Sequence, residues 1–98
     1  MLSKNEILNR LRTVKEALHT IGVIEIGLFG SYSMDAGTVN SDIDILIDFD
    51  PAQETYDHLL ASCAILENAF VTQTVDIVTK NGLSKWIKPY ILQQVIYV

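Results

Sequence analysis

Two short stretches of the sequence carry the residue types that phosphate and metal chemistry requires. Gly30 and Ser31 end one apolar run, and Asp42 and Asp44 open the next after ten intervening residues. A glycine lets the backbone approach a phosphate closely, and a serine hydroxyl adds a hydrogen-bond donor. Two aspartates one residue apart on a strand project to the same side and offer the hard oxygen ligands that Mg²⁺ prefers. The pattern predicts a site for a nucleoside triphosphate and divalent ions, because phosphoryl-type transfer needs held phosphates and neutralised charge.

A third carboxylate, Asp76, lies between Val75 and Ile77 in the apolar run VDIV. If it were buried without a partner, this side chain would cost several kcal/mol, which favours a metal ion or a positive group beside it. The alternative interpretation is an aspartate on an edge strand that points into water. Together with Asp42 and Asp44, the first interpretation makes Asp76 the third metal ligand.

The periodicity of apolar residues predicts the elements that position these side chains. Ser3 and Glu6 form a capping box at the start of the first helix. The resulting order is α-β-loop-β-α-β-α, an α/β (α+β) fold with a small mixed sheet and helices packed on it. The expected helices are 4–20, 54–69 and a weak one over 83–95, and the expected strands are 23–29, 43–49 and 74–79. The apolar stripe expected on the second helix consists of Tyr56, Leu59, Leu60, Cys63, Leu66 and Phe70.

Size and charge narrow the classes of function. Ninety-eight residues predict a single domain, 1–98, whose site is open or is completed by a partner. The net charge of −5 argues against nucleic acid as a direct partner, which would need a basic surface. The lone Cys63 fits a reducing compartment, and no apolar run is long enough to span a membrane, so a cytoplasmic location is expected.

The ordered set of Gly-Ser, ten residues, Asp-x-Asp and a later strand aspartate resembles the signature of the nucleotidyltransferase superfamily of DNA polymerase beta type. In its small size the chain resembles the MntA-like minimal nucleotidyltransferases, which are antitoxin partners of HEPN-domain toxins. The resemblance covers nearly the whole chain, including the apolar ending Val-Ile-Tyr-Val, and implies a nucleotidyltransferase-like fold.

The resemblance assigns roles to these residues. It implies that Gly30 and Ser31 hold the triphosphate, that Asp42 and Asp44 bind two Mg²⁺ ions, and that Asp76 ligates the catalytic metal and helps to deprotonate the acceptor. It further implies that AMP passes from ATP to a tyrosine hydroxyl of the toxin and silences the toxin's RNase activity.

The loop after Ser31 departs from that family pattern. The family commonly reads Gly-Ser-Arg-Ala-Arg-Gly, whereas this chain has Tyr32 and Met34 at the arginine positions and Asp35 at the glycine position. Guanidinium groups offset triphosphate charge, and neither replacement can do so. Three lysines are candidates to compensate, although each is more simply explained as a solvated side chain: Lys80, Lys85 and Lys88.

Two other classes of function remain open from the sequence. The missing arginines favour a binding module that neutralises its partner by contact alone. A nucleotidyltransferase that modifies small molecules fits less well, since no second domain is expected to hold the acceptor. The aromatic residues near the C-terminus, Trp86, Tyr90 and Tyr97, are expected to pack in the core; if exposed, they indicate an interface for association with another copy or another protein.

Overall fold

The computed structural model describes residues 2–98 and contains one four-stranded β-sheet with helices packed on it. The helices are α1 (Lys4–Thr20), α2 (Gly30–Ser33), α3 (Tyr56–Ala69) and α4 (Lys88–Gln94), and the strands are β1 (Val23–Phe29), β2 (Ile43–Phe49), β3 (Val75–Thr79) and β4 (Ile96–Tyr97). Short 3-10 turns span Pro51–Gln53 and Lys80–Gly82. The predicted bounds of α1, β1 and β2 are confirmed, as is the mixed α/β class.

The start of α1 shows the predicted capping box. The Glu6 backbone N–H donates to Ser3 Oγ at 3.1 Å, and the Ser3 N–H donates to Glu6 Oε1 at 3.2 Å. These two bonds satisfy donors that the helix itself leaves free. They fix the point at which α1 enters the fold.

The sheet has the strand order β3-β2-β1-β4, so β3 and β4 form its edges. The β1–β2 and β1–β4 pairs are antiparallel, whereas β2 and β3 run parallel. A parallel pair needs a crossover connection, and α3 supplies it between β2 and β3. The sheet is therefore mixed, as the sequence predicts.

Alternate residues of β2 face opposite sides of the sheet, and the two sides differ in character. Ile43, Ile45 and Ile47 are fully buried and join the main apolar core, which also includes residues of α1 and α3 such as Leu11 and Leu66. The opposite face carries Asp44, Leu46 and Asp48, of which only Leu46 is completely buried. Acidic side chains are thus confined to one face of the sheet, away from the main core.

The apolar stripe predicted for α3 is partly wrong. Tyr56 is 73% exposed and Leu60 is 51% exposed, while Ser62 and Leu66 are buried. The packed face is centred on positions 59, 62, 66 and 69–70, because α3 lies against α1 on that side. Cys63 is half-buried beside this face, and burial together with the nearby Glu67 raises the pKa of its thiol.

The C-terminal region also differs from the prediction. Its helix covers only Lys88–Gln94, because Pro89 lies in the first turn of α4, where a missing N–H is tolerated. The chain then forms β4, a strand the sequence analysis did not predict. The expected core packing of the aromatic residues is wrong as well: Trp86, Tyr90 and Tyr97 are 77%, 68% and 43% exposed.

Across residues 2–98, every helix is too short or too polar to cross a lipid bilayer.

Candidate active site

The antiparallel pairing of β1 with β2 brings the glycine turn against the aspartate pair. Phe29, the last residue of β1, lies opposite Asp44, so Gly30 comes directly beside the Asp44 side chain. Gly30 has a positive φ of 73°, and a Cβ atom at this position would overlap with the Asp44 carboxylate. Only glycine therefore fits here, for both its backbone conformation and its lack of a side chain.

The three predicted carboxylates lie on the same face and at the same end of the sheet. Asp44 and Asp76 are opposite each other in the parallel β2–β3 register, and Asp42 lies two residues before Asp44. The pKa of Asp44 is raised from 3.8 to about 6, chiefly by burial and further by repulsion from Asp76 and then from Asp42. The three carboxylates are therefore close enough to repel one another, and Asp44, which is half-buried, lies between the other two.

The chemistry of this donor set suits magnesium, although the side chains do not form a closed cage. Within residues 2–98, no three His, Cys, Asp or Glu side chains converge in a ready-made metal site. Magnesium is usually held by one or two carboxylates together with substrate phosphates and water. Mutually repelling carboxylates beside a glycine turn fit an ion that is bound together with a nucleotide. A cation at this position would lower the raised pKa of Asp44.

Asp76 is not buried, and the alternative of an aspartate on an edge strand is the one observed. Asp76 is exposed on β3, an edge strand, so its carboxylate is solvated and costs little free energy to keep. Its electrostatic effect on Asp44 is what connects it to the site. Its exposure also leaves its carboxylate accessible to a macromolecule that approaches this edge.

Gln94 contacts the site and was not singled out by the sequence analysis. The Gly30 backbone N–H donates to Gln94 Oε1 at 3.2 Å in a partly buried hydrogen bond. This bond connects the last residue of α4 to the first residue of α2, 64 positions earlier in the chain. No local pattern could have revealed it, because it depends on the tertiary placement of α4 against α2.

The unusual loop after Ser31 is held by the packing and hydrogen bonding of its own residues. Tyr32 is only 5% exposed, and its ring packs so closely on Gly37 that a Cβ there would overlap with it. The Tyr32 hydroxyl donates to the Thr38 carbonyl at 3.0 Å, which braces the loop. Tyr32 is therefore a structural residue, at a position where the family commonly has an arginine.

The Asp35 side chain is also held by a contact. Its carboxylate pairs with Lys4 Nζ of α1 at 3.0 Å, and this ion pair offsets the negative charge that an aspartate adds to the loop. Asp35 has a positive φ of 57°, which explains why a glycine suits this position and why an aspartate is among the few tolerated replacements.

Two of the three lysines considered as substitutes for the arginines have other contacts. Lys80 Nζ lies 3.2 Å from Glu25 Oε1, and this bond, with the charges of Glu25, Tyr97 and Asp48, raises the pKa of Lys80. Lys85 Nζ lies 5.0 Å from the centroid of the neighbouring Trp86 ring.

An open cleft of about 460 Å³ adjoins Asp42 at the edge of the sheet. Its walls come from the loop before β2 and the loop before β3, with Tyr32 at its base. Gln73, one of the lining residues, has a buried side-chain oxygen with no hydrogen-bond partner. Most of the residues that line the cleft are polar.

Together, the sheet, the glycine turn and the row of carboxylates define a site of the nucleotidyl-transfer class. Residues 11–98 match the family model described as "Nucleotidyltransferase domain". The chain belongs to this family and is a nucleotidyltransferase.

Similar proteins support the same class. The chain is 38% identical to "Protein adenylyltransferase MntA" of Thermococcus cleftensis, over all of this chain and 98% of that protein. It superposes with a TM-score of 0.78 on the solved structure of a provisionally assigned minimal nucleotidyltransferase, at 25% identity over 97% of this chain and 95% of that one. It also superposes on a toxin–antitoxin crystal structure with AMP-PNP, at a TM-score of 0.57 and 25% identity, over 98% of this chain and 72% of that one.

The raised pKa of Asp44 predicts a pH-dependent stability of the metal-free protein. The folded-state pKa of about 6 lies above the unfolded value of 3.8, so ionised Asp44 lowers the free energy of unfolding. This penalty is complete above pH 6 and disappears as the pH falls below 4. Asp44→Asn should therefore be more stable than the wild type by about 1 kcal/mol at pH 7, a value reduced for the partial solvation of the site.

Urea unfolding with EDTA, measured at several pH values between 4 and 8, tests this expectation. The difference between Asp44→Asn and the wild type should shrink towards pH 4, and Asp76→Asn should give a smaller gain of the same sign. A difference that does not vary with pH would contradict the proposed repulsion.

The contact between Gln94 and Gly30 predicts unequal effects of two neighbouring glutamines. Gln94→Ala leaves a partly buried N–H without its acceptor and should lower the free energy of unfolding by about 1–2 kcal/mol. Gln93 is exposed on the same helix, so Gln93→Ala should change the free energy of unfolding by less than about 0.5 kcal/mol. The Gly30 amide should also exchange its hydrogen faster in Gln94→Ala alone; equal effects of the two variants would count against this contact.

Proposed function

We propose that this nucleotidyltransferase is a protein adenylyltransferase and antitoxin that moves AMP from ATP to a tyrosine hydroxyl of a cognate HEPN-domain toxin. The observation that carries the proposal is the placement of Gly30 against Asp44, within a row of carboxylates open to solvent. The similarity to a protein adenylyltransferase along the whole chain supports the kind of group transferred.

In this proposal, the Gly30–Ser31 turn binds the triphosphate and the carboxylates hold magnesium. Asp42 and Asp44 would hold two Mg²⁺ ions, with Asp76 as a further ligand of one of them. When bound, the ions neutralise charge on the phosphates and on the departing pyrophosphate. The exposed Ser31 hydroxyl is free to donate to a phosphate oxygen, and the absence of a side chain on Gly30 lets the turn lie directly against the Asp44 carboxylate.

The proposed transfer is a displacement at the α-phosphorus of ATP. The tyrosine oxygen forms a new bond to this phosphorus, and the bond from the phosphorus to the α,β-bridging oxygen breaks. Pyrophosphate leaves with the bonding electrons, and the phenolic proton passes to the Asp76 carboxylate and then to water. Asp76 suits this role because it is solvated and lies on the outermost strand, where a protein acceptor can reach it.

The openness of the site supports a protein as the acceptor. The cleft beside Asp42 is bounded by only two loops, and no part of residues 2–98 covers Asp76. A large acceptor can bring its own surface to such a site, whereas a small molecule would be poorly enclosed. The similarity to a toxin–antitoxin complex solved with AMP-PNP, an ATP analogue, favours a toxin as that protein.

The second candidate function is neutralisation of the toxin by contact, with little or no catalysis. Two observations favour this function. Tyr32 is buried in the core at a position where the family commonly has an arginine, and Lys80 forms an ion pair with Glu25. As a result, neither position supplies a positive charge to neutralise a bound triphosphate.

The two candidates predict different results for a double variant. Asp42→Asn with Asp44→Asn should abolish the transfer of AMP to the toxin, measured by intact mass after incubation with ATP and Mg²⁺. The wild type should add one or more AMP groups to the toxin and lose this activity in EDTA. The variant should remain folded, since removal of mutually repelling charges does not destabilise the site.

Asp48→Asn is the matched control, because Asp48 lies on the same strand and the same face but four residues further along. It should leave the transfer of AMP nearly unchanged. An undiminished AMP adduct in the double variant would contradict the assigned roles of Asp42 and Asp44. Full neutralisation of the toxin by the double variant, without any adduct, would establish the contact-only function instead.

A further inference from the structure

The segment around the start of α4 presents an exposed aromatic and basic surface that the proposed chemistry does not use. We call it the α4 patch: Trp86, Ile87 and Tyr90, with Lys85 and Lys88 beside them. The three apolar side chains are 77%, 49% and 68% exposed, and the Lys85 ammonium lies over the Trp86 ring. Exposed tryptophan and tyrosine side chains are typical of protein interfaces, whose rim is polar and charged.

The charge of the chain is divided unevenly around this patch. The whole chain carries −5, and residues 83–98 contribute +2 through Lys85 and Lys88 with no acidic residue, which leaves −7 for residues 1–82. The α4 patch is therefore a small basic, apolar area on an acidic protein. Its electrostatic complement is an apolar surface that carries carboxylates.

The α4 patch lies close to the site. Tyr90 precedes Gln94 by one helical turn, about 6 Å along the axis, and Gln94 accepts the hydrogen bond from Gly30. A protein seated on the patch is thus held within one or two helical turns of the glycine beside Asp44.

We propose that the α4 patch is the docking surface for the acceptor protein, which contacts it through an apolar area bordered by acidic residues. The inference rests on the proposed function and adds to it the surface that selects the acceptor. Trp86 and Tyr90 fill apolar recesses of the acceptor, and Lys85 and Lys88 pair with its carboxylates. Docking there delivers the acceptor hydroxyl to the solvent-exposed side of the site.

Two other occupants fit less well. A second copy related by a two-fold axis would bring Lys85 and Lys88 of one chain towards those of the other, so like charges would meet. Nucleic acid would gain contacts from only two lysines and would be repelled by the net charge of −7 on residues 1–82. An acidic protein surface has neither disadvantage.

The test compares initial rates of AMP transfer to the cognate toxin of the proposed function, at varied toxin and varied ATP concentrations. Trp86→Ala and Tyr90→Ala should each raise the KM for the toxin by about tenfold or more and leave the KM for ATP unchanged. Lys85→Glu with Lys88→Glu should act in the same direction, and the affinity of the wild type should fall with added salt. Tyr56→Ala and Lys15→Glu are matched controls, because both residues are exposed on other helices.

Each outcome decides the inference separately from the proposed function. Unchanged toxin KM values in the patch variants would overturn it. If the wild type transfers no AMP, the proposed function fails, and calorimetric binding of the toxin to the same variants still tests the patch. If the wild type forms a dimer and Trp86→Ala abolishes it, the patch binds a second copy and the inference is overturned. The inference is also overturned if the wild type shifts tRNA in a gel and the patch variants do not.

Discussion

The contact between Gly30 and the Asp44 carboxylate is the constraint on which the site depends. Antiparallel pairing sets the end of β1 against the start of β2, so the turn and the aspartate meet with no room for a Cβ between them. The same register leaves Asp44 half-buried and opposite Asp76, which raises its pKa to about 6. An electrostatically unfavourable cluster is thereby held in place by the sheet itself, and a bound cation is the simplest way to relieve it.

The division of the sheet into two faces explains how so small a chain supports such a cluster. The isoleucines of β2 pack with α1 and α3 in the main core, which supplies the stability, while the acidic face needs only partial cover. The crossover through α3 makes β3 an edge strand, and this leaves Asp76 exposed. An open site of this kind suits chemistry on a second protein, which can complete the enclosure.

Local patterns were sufficient to predict α1, β1, β2 and the position of Asp42 and Asp44 at the start of β2, because periodicity, the capping box and the Asp-x-Asp spacing all involve residues close together in the sequence. They failed where tertiary packing decides the outcome. The face of α3 is set by its contact with α1, which excludes Leu60 from the core, and β4 forms only because β1 offers it an edge. The hydrogen bond from Gly30 to Gln94 spans 64 positions and has no local signal.

We propose that Asp42 and Asp44 hold divalent ions against a triphosphate bound at the Gly30–Ser31 turn, and the whole mechanism depends on this arrangement. Its most direct test is a crystal structure with Mn²⁺ and a non-hydrolysable ATP analogue, in which anomalous scattering locates the metal. We expect anomalous peaks within coordinating distance of Asp42 and Asp44, and triphosphate oxygens beside Gly30 and Ser31. Manganese at other side chains, or a nucleotide bound away from the glycine turn, would contradict the account.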